Sequence, residues 1–143
     1  MIYLAQTDTT IGFLSDSKEE LATAKKRDQK QPFIICVSDF KKLKKLTRIP
    51  KKYKNLVRRS KKTTFIYPNN LAIRVINHGD HYKFLKKFDY LFSTSANKHK
   101  KDFDLQYAIN SADIIIYPKN GFKLNNPSKI VKLNSHHLNY IRT

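Results

Sequence analysis

One short apolar segment constrains the fold of this 143-residue chain more than any other feature. Residues 32–38 form a nearly uninterrupted apolar run, which is typical of a strand that is buried on both faces. A sheet that contains such a strand is covered by helices. The neighbouring segments fit this requirement, because predicted strands and helices alternate along the sequence. The pattern therefore predicts an α/β fold.

Capping residues and turns divide the rest of the chain into short elements. Ser17 followed by Glu20 is typical of a helix N-terminus, and Pro50 suits the first turn of another helix. The closely spaced strands after residue 62 favour some antiparallel pairing and hence a mixed sheet. The sequence predicts helices over 17–26, 39–46, 50–59 and 102–111 and one starting at residue 80, strands over 2–5, 32–38, 63–67, 71–75, 90–94, 113–117, 129–133 and 138–141, and a loop over 119–128.

The composition indicates one small, strongly basic domain. The formal net charge is +18, and the sequence contains a single cysteine, which excludes a disulfide framework and a cysteine-rich zinc site. No apolar run approaches the roughly 20 residues that cross a bilayer, and the first residues lack the pattern of a secretory signal. We expect a single domain over residues 1–143 that is cytoplasmic and has no membrane partner.

The positive charge is concentrated in one segment. Between Lys41 and Lys62, 12 of 22 residues are Lys or Arg and none is acidic. Such a segment attracts phosphates, in particular those of a nucleic-acid backbone. Solvated surface charge is the alternative interpretation, because a basic run alone does not identify a partner. The candidate RNA-binding residues are Lys51, Lys52, Lys54, Arg58 and Arg59.

Three polar groups at the ends of predicted elements suggest a phosphate site, although neither standard glycine-rich phosphate loop is present. Lys25-Lys26-Arg27 follows the first predicted helix, where two cations can converge on a polyphosphate. Ser93-Thr94-Ser95-Ala96-Asn97 follows a predicted strand, and small hydroxyl and amide groups at such an end suit phosphate or ribose recognition. Thr7-Asp8-Thr9-Thr10 also follows a strand.

The order and spacing of these groups resemble the YrdC/YciO family of threonylcarbamoyl-adenylate synthases. Residues 93–97 match its S-T-S-A-N motif without a change, and residues 6–12 resemble its P-T-D-T-V-Y-G opening. Residues 25–27 are similar to its K-x-R segment, and residues 71–75 to its V-A-V-R-V strand. The resemblance extends in order over nearly the whole chain.

The resemblance implies a twisted, mixed α/β sheet of the YrdC-like (DHBP synthase-like) kind with a concave basic surface. It also implies a nucleotidyltransferase that joins L-threonine, bicarbonate and ATP into threonylcarbamoyl-AMP and releases pyrophosphate. A downstream threonylcarbamoyl-transferase complex would then modify an adenosine in tRNA. We expect a magnesium ion to accompany ATP and no metal site formed by the protein itself.

The family's motifs also imply roles for individual residues of this sequence. Two cations would neutralise the phosphates during catalysis, and polar groups around them would hold the nucleotide and the amino acid. The residues are Lys25 and Arg27 as catalytic and ATP-binding cations, Thr64, Ser95, Asn97, Ser128 and Arg142 as further ATP-binding groups, and Thr7 and Thr9 on the threonine side.

The sequence also departs from the family pattern. Only five residues precede Gln6, where members usually carry a helix and a strand, so we expect the usual N-terminal helix to be lacking. Ile11 replaces the usual tyrosine, which removes a hydroxyl from the expected threonine pocket. Two further functions therefore stay open: a non-catalytic member that binds double-stranded RNA, tRNA or rRNA through its basic face, and an ATP-binding regulator.

Overall fold

The computed structural model describes residues 1–26 and 32–143. Within these ranges, nine strands form one mixed sheet that is flanked by five α-helices, which confirms the predicted α/β class. None of the helices in these ranges is long and apolar enough to span a membrane. The elements are β1 (Tyr3–Gln6), β2 (Ile11–Ser15), α1 (Lys18–Lys25), β3 (Ile34–Val37), α2 (Phe40–Leu46), a 3-10 turn (Lys51–Tyr53), α3 (Lys54–Arg59), β4 (Thr63–Ile66), β5 (Ala72–Val75), α4 (Gly79–Leu85), β6 (Leu91–Ser95), α5 (Leu105–Ser111), β7 (Ile114–Ile116), β8 (Lys129–Leu133) and β9 (Leu138–Arg142).

The strand order brings together segments that are far apart in the sequence. Across the described sheet the order is β7-β1-β2-β6-β3-β5-β4-β8-β9. The pairs β1–β7, β3–β5 and β4–β8 are parallel, and the other pairs are antiparallel. Strand β6 therefore lies between β2 and β3, so that the segment after β6 comes close to the loops around the first strands.

Successive residues of the central strands contribute to two different apolar clusters. Phe13 of β2 and Phe92 of β6 belong to the larger cluster, whereas their neighbours Leu14 and Leu91 belong to the smaller one. This alternation is expected because side chains along a strand point to opposite faces of the sheet. Helices α1, α2, α3 and α5 pack on the larger cluster and α4 on the smaller. Strand β3 contributes to both, which confirms the predicted two-sided burial of the segment within 32–38.

Helix α1 is capped as the sequence predicts, and its last residue, Lys25, is buried. The Ser17 hydroxyl accepts a hydrogen bond from the Glu20 backbone N–H at 3.3 Å. The Glu20 carboxylate accepts from the Ser15 hydroxyl at 3.1 Å, which ties the start of the helix to β2. The helix ends after Lys25, because Lys26 adopts a left-handed conformation with φ of 54°. As a result, the Lys25 side chain lies at the point where the chain leaves the helix.

Candidate functional site

The Lys25 ammonium group joins the end of α1 to the loop that follows β6. Although it carries a charge, Lys25 is only 3% exposed. Its Nζ donates to the carbonyl oxygen of Ser95 at 3.0 Å, to Ser95 Oγ at 3.1 Å and to Asn97 Oδ1 at 3.0 Å. The Lys25 carbonyl in turn accepts from the His99 backbone N–H at 2.9 Å. These contacts offset the cost of burying the charge and fix its position.

Ser128 holds a second cation, Arg142, in place on the edge strand β9. Its hydroxyl shares a 2.8 Å hydrogen bond with Thr64 Oγ1 of β4, and both residues are at most 1% exposed. Arg142 of β9 donates from Nε to the Ser128 carbonyl oxygen at 2.7 Å and from Nη2 to Ser128 Oγ at 3.2 Å. The guanidinium group therefore has a fixed orientation, although Arg142 belongs to an edge strand.

A buried arginine holds the turn between β1 and β2 in position through contacts with two of its residues. Arg74 of β5 is 4% exposed and lies opposite Cys36 in the parallel register with β3. Its Nη1 donates to Thr9 Oγ1 at 2.9 Å, and its Nη2 lies 3.4 Å from Asp8 Oδ1. Thr9 Oγ1 is also 3.3 Å from Thr7 Oγ1. The Arg74 side chain thus determines the position of a turn that is distant from it in sequence.

These three groups border one cavity of about 390 Å³, which we call the Lys25 cavity. Four cationic residues line it, and the described residues of its wall include no aspartate or glutamate. Hydroxyl and amide side chains occupy the remaining polar part of the wall. The lining residues used below are Thr9, Lys25, Arg74, Ser95, Asn97, Lys100, Ser128 and Arg142.

Arg142 is an exposed residue whose guanidinium is only partly buried. This partial burial is the main cause that lowers the pKa of the guanidinium, and repulsion by the Arg74 guanidinium lowers that pKa further. Two cations that destabilise each other gain from an anion placed between them. A unit negative charge about 4 Å from a cation interacts with it by about 4 kcal/mol at an effective dielectric constant of about 20. The cavity is therefore suited to an anion with several oxygens, such as a polyphosphate.

The described residues contain no comparable cluster of possible metal ligands. Within residues 1–26 and 32–143, no three His, Cys, Asp or Glu side chains are placed so that they could share a metal ion. The cationic, hydroxyl and amide groups of the described cavity wall are suited to binding anions and orienting polar reactants.

The cavity collects most of the residues that the sequence predicted for ATP and threonine binding. They are separated by as many as 133 residues in the chain and come from the turn after β1, the end of α1, the end of β6 with the loop after it, the residue before β8, and β9. The predicted residues that line it are Thr9, Lys25, Ser95, Asn97, Ser128 and Arg142.

Two of the described residues that were predicted to bind ATP or threonine do not line it. Thr64 contacts Ser128 from behind the cavity wall, and its predicted contact with a nucleotide stays a prediction. Thr7 borders a different cavity, on the other side of the turn that contains Thr9. Arg27 lies outside the described residues.

Sequence reasoning missed the role of Arg74. The sequence analysis includes Arg74 only within residues 71–75, which resemble the V-A-V-R-V strand. In the structure, Arg74 supplies one of the four cations of the cavity. A signal was available, because Arg74 interrupts an otherwise apolar strand at a position that faces away from the larger cluster. Ile11, which stands where the family usually has a tyrosine, is 3% exposed and packs in the larger cluster. It is absent from the described lining of the Lys25 cavity.

The candidate RNA-binding residues form a separate, exposed surface on the 3-10 turn and α3. The apolar residues of this segment, Tyr53 and Val57, are buried in the larger cluster, so its cations point outward. The exposed residues are Lys51, Lys52, Lys54, Arg58 and Arg59.

Comparison with known proteins identifies the family. The model of the Sua5/YciO/YrdC family, which carries the description "Telomere recombination", matches residues 2–143. The chain therefore belongs to this family, as the motifs predicted. No curated protein matches the sequence.

Solved structures of family members share the fold at low sequence identity. A variant of Sua5 from P. abyssi is 19% identical with a TM-score of 0.83 over 99% of this chain and 52% of its own. P. abyssi Sua5 complexed with L-threonine is 18% identical with a TM-score of 0.81, over 99% and 49%. E. coli YciO is 13% identical with a TM-score of 0.72, over 99% and 82%. The chain thus spans about half the length of the Sua5 structures that it matches.

Proposed function

We propose that this protein is a minimal threonylcarbamoyl-AMP synthase, which forms the adenylate from L-threonine, bicarbonate and ATP. The observation that carries the proposal is the Lys25 cavity, in which four cations meet hydroxyl and amide groups without a carboxylate in the described wall. Family membership supports the same chemistry. The structural neighbour that was solved with L-threonine supports an amino-acid substrate.

In the proposed reaction, a negatively charged carbamate must approach the negatively charged α-phosphate of ATP. Threonine and bicarbonate condense to a carbamate with loss of water, and a carbamate oxygen then attacks the α-phosphorus of ATP. The new oxygen–phosphorus bond forms as the bond to the β-phosphate oxygen breaks and pyrophosphate leaves. Lys25, Arg74 and Arg142 would neutralise the phosphates and the developing charge. This electrostatic role needs no side-chain nucleophile.

The polar groups of the cavity would orient the reactants. Ser95 and Asn97 already hold the Lys25 ammonium, and Ser128 holds Arg142. These fixed positions lower the entropic cost of aligning a carbamate with the α-phosphate. Thr9, which Arg74 positions, would face the threonine and carbamate. Magnesium would enter with ATP as part of the substrate and add positive charge at the phosphates.

The proposal is tested by measuring pyrophosphate release from ATP in the presence of L-threonine and bicarbonate. We expect threonine-dependent release from the unmodified protein and at least about a hundredfold slower release from Lys25→Ala, because a preorganised charge that stabilises the transition state is lost. Lys87→Ala is the matched control, since Lys87 is exposed and lies outside the cavity. Normal turnover by a folded Lys25→Ala variant would show that the proposed site is wrong.

RNA binding without this catalysis is the second candidate function. The observation that favours it is the set of five exposed cations on the 3-10 turn and α3, which is separate from the Lys25 cavity. Duplex RNA is recognised largely through its shape, phosphates and 2′-hydroxyl groups, so such a surface suffices without a motif that recognises a sequence.

Salt dependence distinguishes this second function. Affinity for a duplex RNA should fall steeply as salt rises, because phosphate contacts release counterions. The Lys51→Ala substitution should weaken binding and reduce the salt slope by about one, whereas Lys87→Ala should not. Absent or salt-insensitive binding would remove this candidate.

A further inference from the structure

A second cavity, which we call the Phe40 cavity, lies on the opposite face of the sheet from the Lys25 cavity. Its volume is about 230 Å³. Ile73 and Val75 of β5 line it, whereas Arg74 between them lines the Lys25 cavity, as the alternation of side chains along a strand requires. No described residue borders both cavities. The Phe40 cavity is therefore separate from the site of the proposed synthase reaction.

The wall of the Phe40 cavity is partly aromatic. Phe40, at the start of α2, is half-buried, so part of its surface stays accessible. Phe65 and Tyr67 also line the cavity, and their ring centroids are 6.4 Å apart. An apolar cavity of roughly 150 Å³ is enough to bind benzene. The Phe40 cavity thus has room for one six-membered ring.

Cations surround this apolar wall. Those in the described lining, all of them exposed, are Arg58, Arg59, Lys61 and Lys62. The described lining has one acidic residue, Asp8, whose carboxylate is compensated because Arg74 lies 3.4 Å from it. A ring that carries a negative charge next to it therefore matches the cavity in both shape and charge.

The backbone around the cavity is already in a fixed conformation. The Ser60 hydroxyl donates to the Leu56 carbonyl oxygen at 2.7 Å, which holds the end of α3. Lys62 adopts a left-handed conformation with φ of 54°, and its carbonyl accepts from the Lys129 backbone N–H at 3.0 Å. Such a conformation is costly for a residue other than glycine and persists only where the surroundings fix it. This order lowers the cost of arranging the loop around a ligand.

The cavity is continuous with the basic surface on the 3-10 turn and α3. Arg58 and Arg59 belong to both. Lys54 lies four residues before Arg58 in α3, so the two cations are neighbours on one face of the helix. A small anion needs only one or two of these cations, whereas a chain of phosphates engages several at once. The extent of the basic surface therefore favours a polymer over a small molecule.

We propose that the Phe40 cavity holds one unpaired base of a single-stranded RNA, whose neighbouring phosphates contact the cations of α3 and of the loop after it. This inference rests on the RNA-binding candidate above and changes its ligand from a duplex to a strand with an accessible base. In a duplex the bases are stacked inside the helix, and a base enters a cavity only after it is flipped out. Contact between a base and aromatic side chains adds affinity for any base, because every base has a flat aromatic face.

The test compares two decamers of equal length and charge at one salt concentration. One is decauridylate, and the other is the same sugar–phosphate chain without bases. We expect the protein to bind decauridylate at least about tenfold more tightly, because the abasic strand loses the contact between base and aromatic wall.

The other outcomes separate the inference from the candidate function on which it rests. Equal affinity for the two decamers would show that phosphates alone are bound and would overturn base insertion, while RNA binding would stand. Failure to bind decauridylate when duplex RNA is bound would overturn the inference as well. Failure to bind either RNA would also remove the RNA-binding candidate.

Two variants locate the bound base. Phe40→Leu removes an aromatic ring from the cavity and keeps an apolar side chain. Phe103→Leu is the matched control, since Phe103 is also half-buried against the larger cluster but is absent from the described lining. The preference for decauridylate over the abasic strand should fall below about threefold in Phe40→Leu and stay near tenfold in Phe103→Leu. Equal preferences in the two variants would overturn the proposal.

Photo-crosslinking provides the same information without a variant, in case Phe40→Leu does not fold. A decamer that contains 5-iodouridine should crosslink to the unmodified protein at Phe40, Phe65 or Tyr67, as mass spectrometry of the peptides would show. Crosslinks confined to residues of the Lys25 cavity would place the strand there and refute the proposal.

Discussion

At the scale of single residues, the most informative feature is the burial of charges that a small domain could have avoided. Arg74 is 4% exposed and its ion-pair partner Asp8 is mostly buried. Burial of an ion pair seldom adds stability compared with apolar residues of similar size. The pair is better explained by its position, since Arg74 lines the Lys25 cavity and Asp8 lines a separate cavity that His81 also borders.

The coupling between the charges of Arg74 and Asp8 can be measured as a change in the free energy of unfolding. Arg74→Met should lower the free energy of unfolding by about 3 kcal/mol, because it leaves Asp8 without its counter-charge. The double variant Arg74→Met/Asp8→Asn should lose less than the sum of the two single losses, as urea denaturation would show. Additive losses would mean that the ion pair does not couple the two residues.

His81 makes the stability of the fold depend on pH. Its pKa is about 4 in the folded protein and about 6.5 in an ordinary environment, so the unfolded chain takes up a proton that the folded chain resists. Stability should therefore fall as the pH decreases from about 6.5 to about 4, by up to about 3 kcal/mol. Urea denaturation at a series of pH values measures this loss. His81→Phe should flatten the profile over that window, and an unchanged profile would show that His81 does not titrate in this way.

At the scale of elements, helix caps and strand patterns could be predicted because their signals are local. Ser17 capped its helix as expected, and the run at 32–38 formed the two-sided strand β3. The order of strands in the sheet could not be derived, since it depends on contacts between distant segments. The meeting of Lys25 with Ser95 was expected only from the family resemblance, and Arg74 was missed because strand patterns treat an isolated charge as exposed.

The cap of α1 also has an energetic consequence. Ser17→Ala should lower the free energy of unfolding by about 1 kcal/mol, because the Glu20 N–H loses its acceptor. Ser17→Asp is the control, since a carboxylate keeps the acceptor and favours the helix N-terminus. Thermal or urea denaturation of both variants measures the difference. Equal stability of Ser17→Ala and the unmodified protein would show that the cap does not hold the helix.

At the scale of the whole molecule, the distribution of charge is more informative than its total. The net charge of +18 does not by itself identify a partner. In the folded chain, however, Glu19, Glu20 and Asp113 border a different cavity, while the Lys and Arg side chains in the described wall of the Lys25 cavity face no Asp or Glu within that wall. Among the described residues, the proposed polyanion site is thus kept apart from these three acidic residues, and a second basic surface on α3 faces outward.

ATP binding tests this account most directly. Asn97→Asp keeps the oxygen that accepts from Lys25 but adds a negative charge to the cavity, and Asn55→Asp adds the same charge at an exposed position of α3. We predict that Asn97→Asp weakens ATP binding at least about tenfold, by repulsion of the phosphates. Asn55→Asp should change it by less than about twofold, because exposed charges are screened by salt. Equal ATP affinity of the two variants would contradict the assignment of the Lys25 cavity as the nucleotide site.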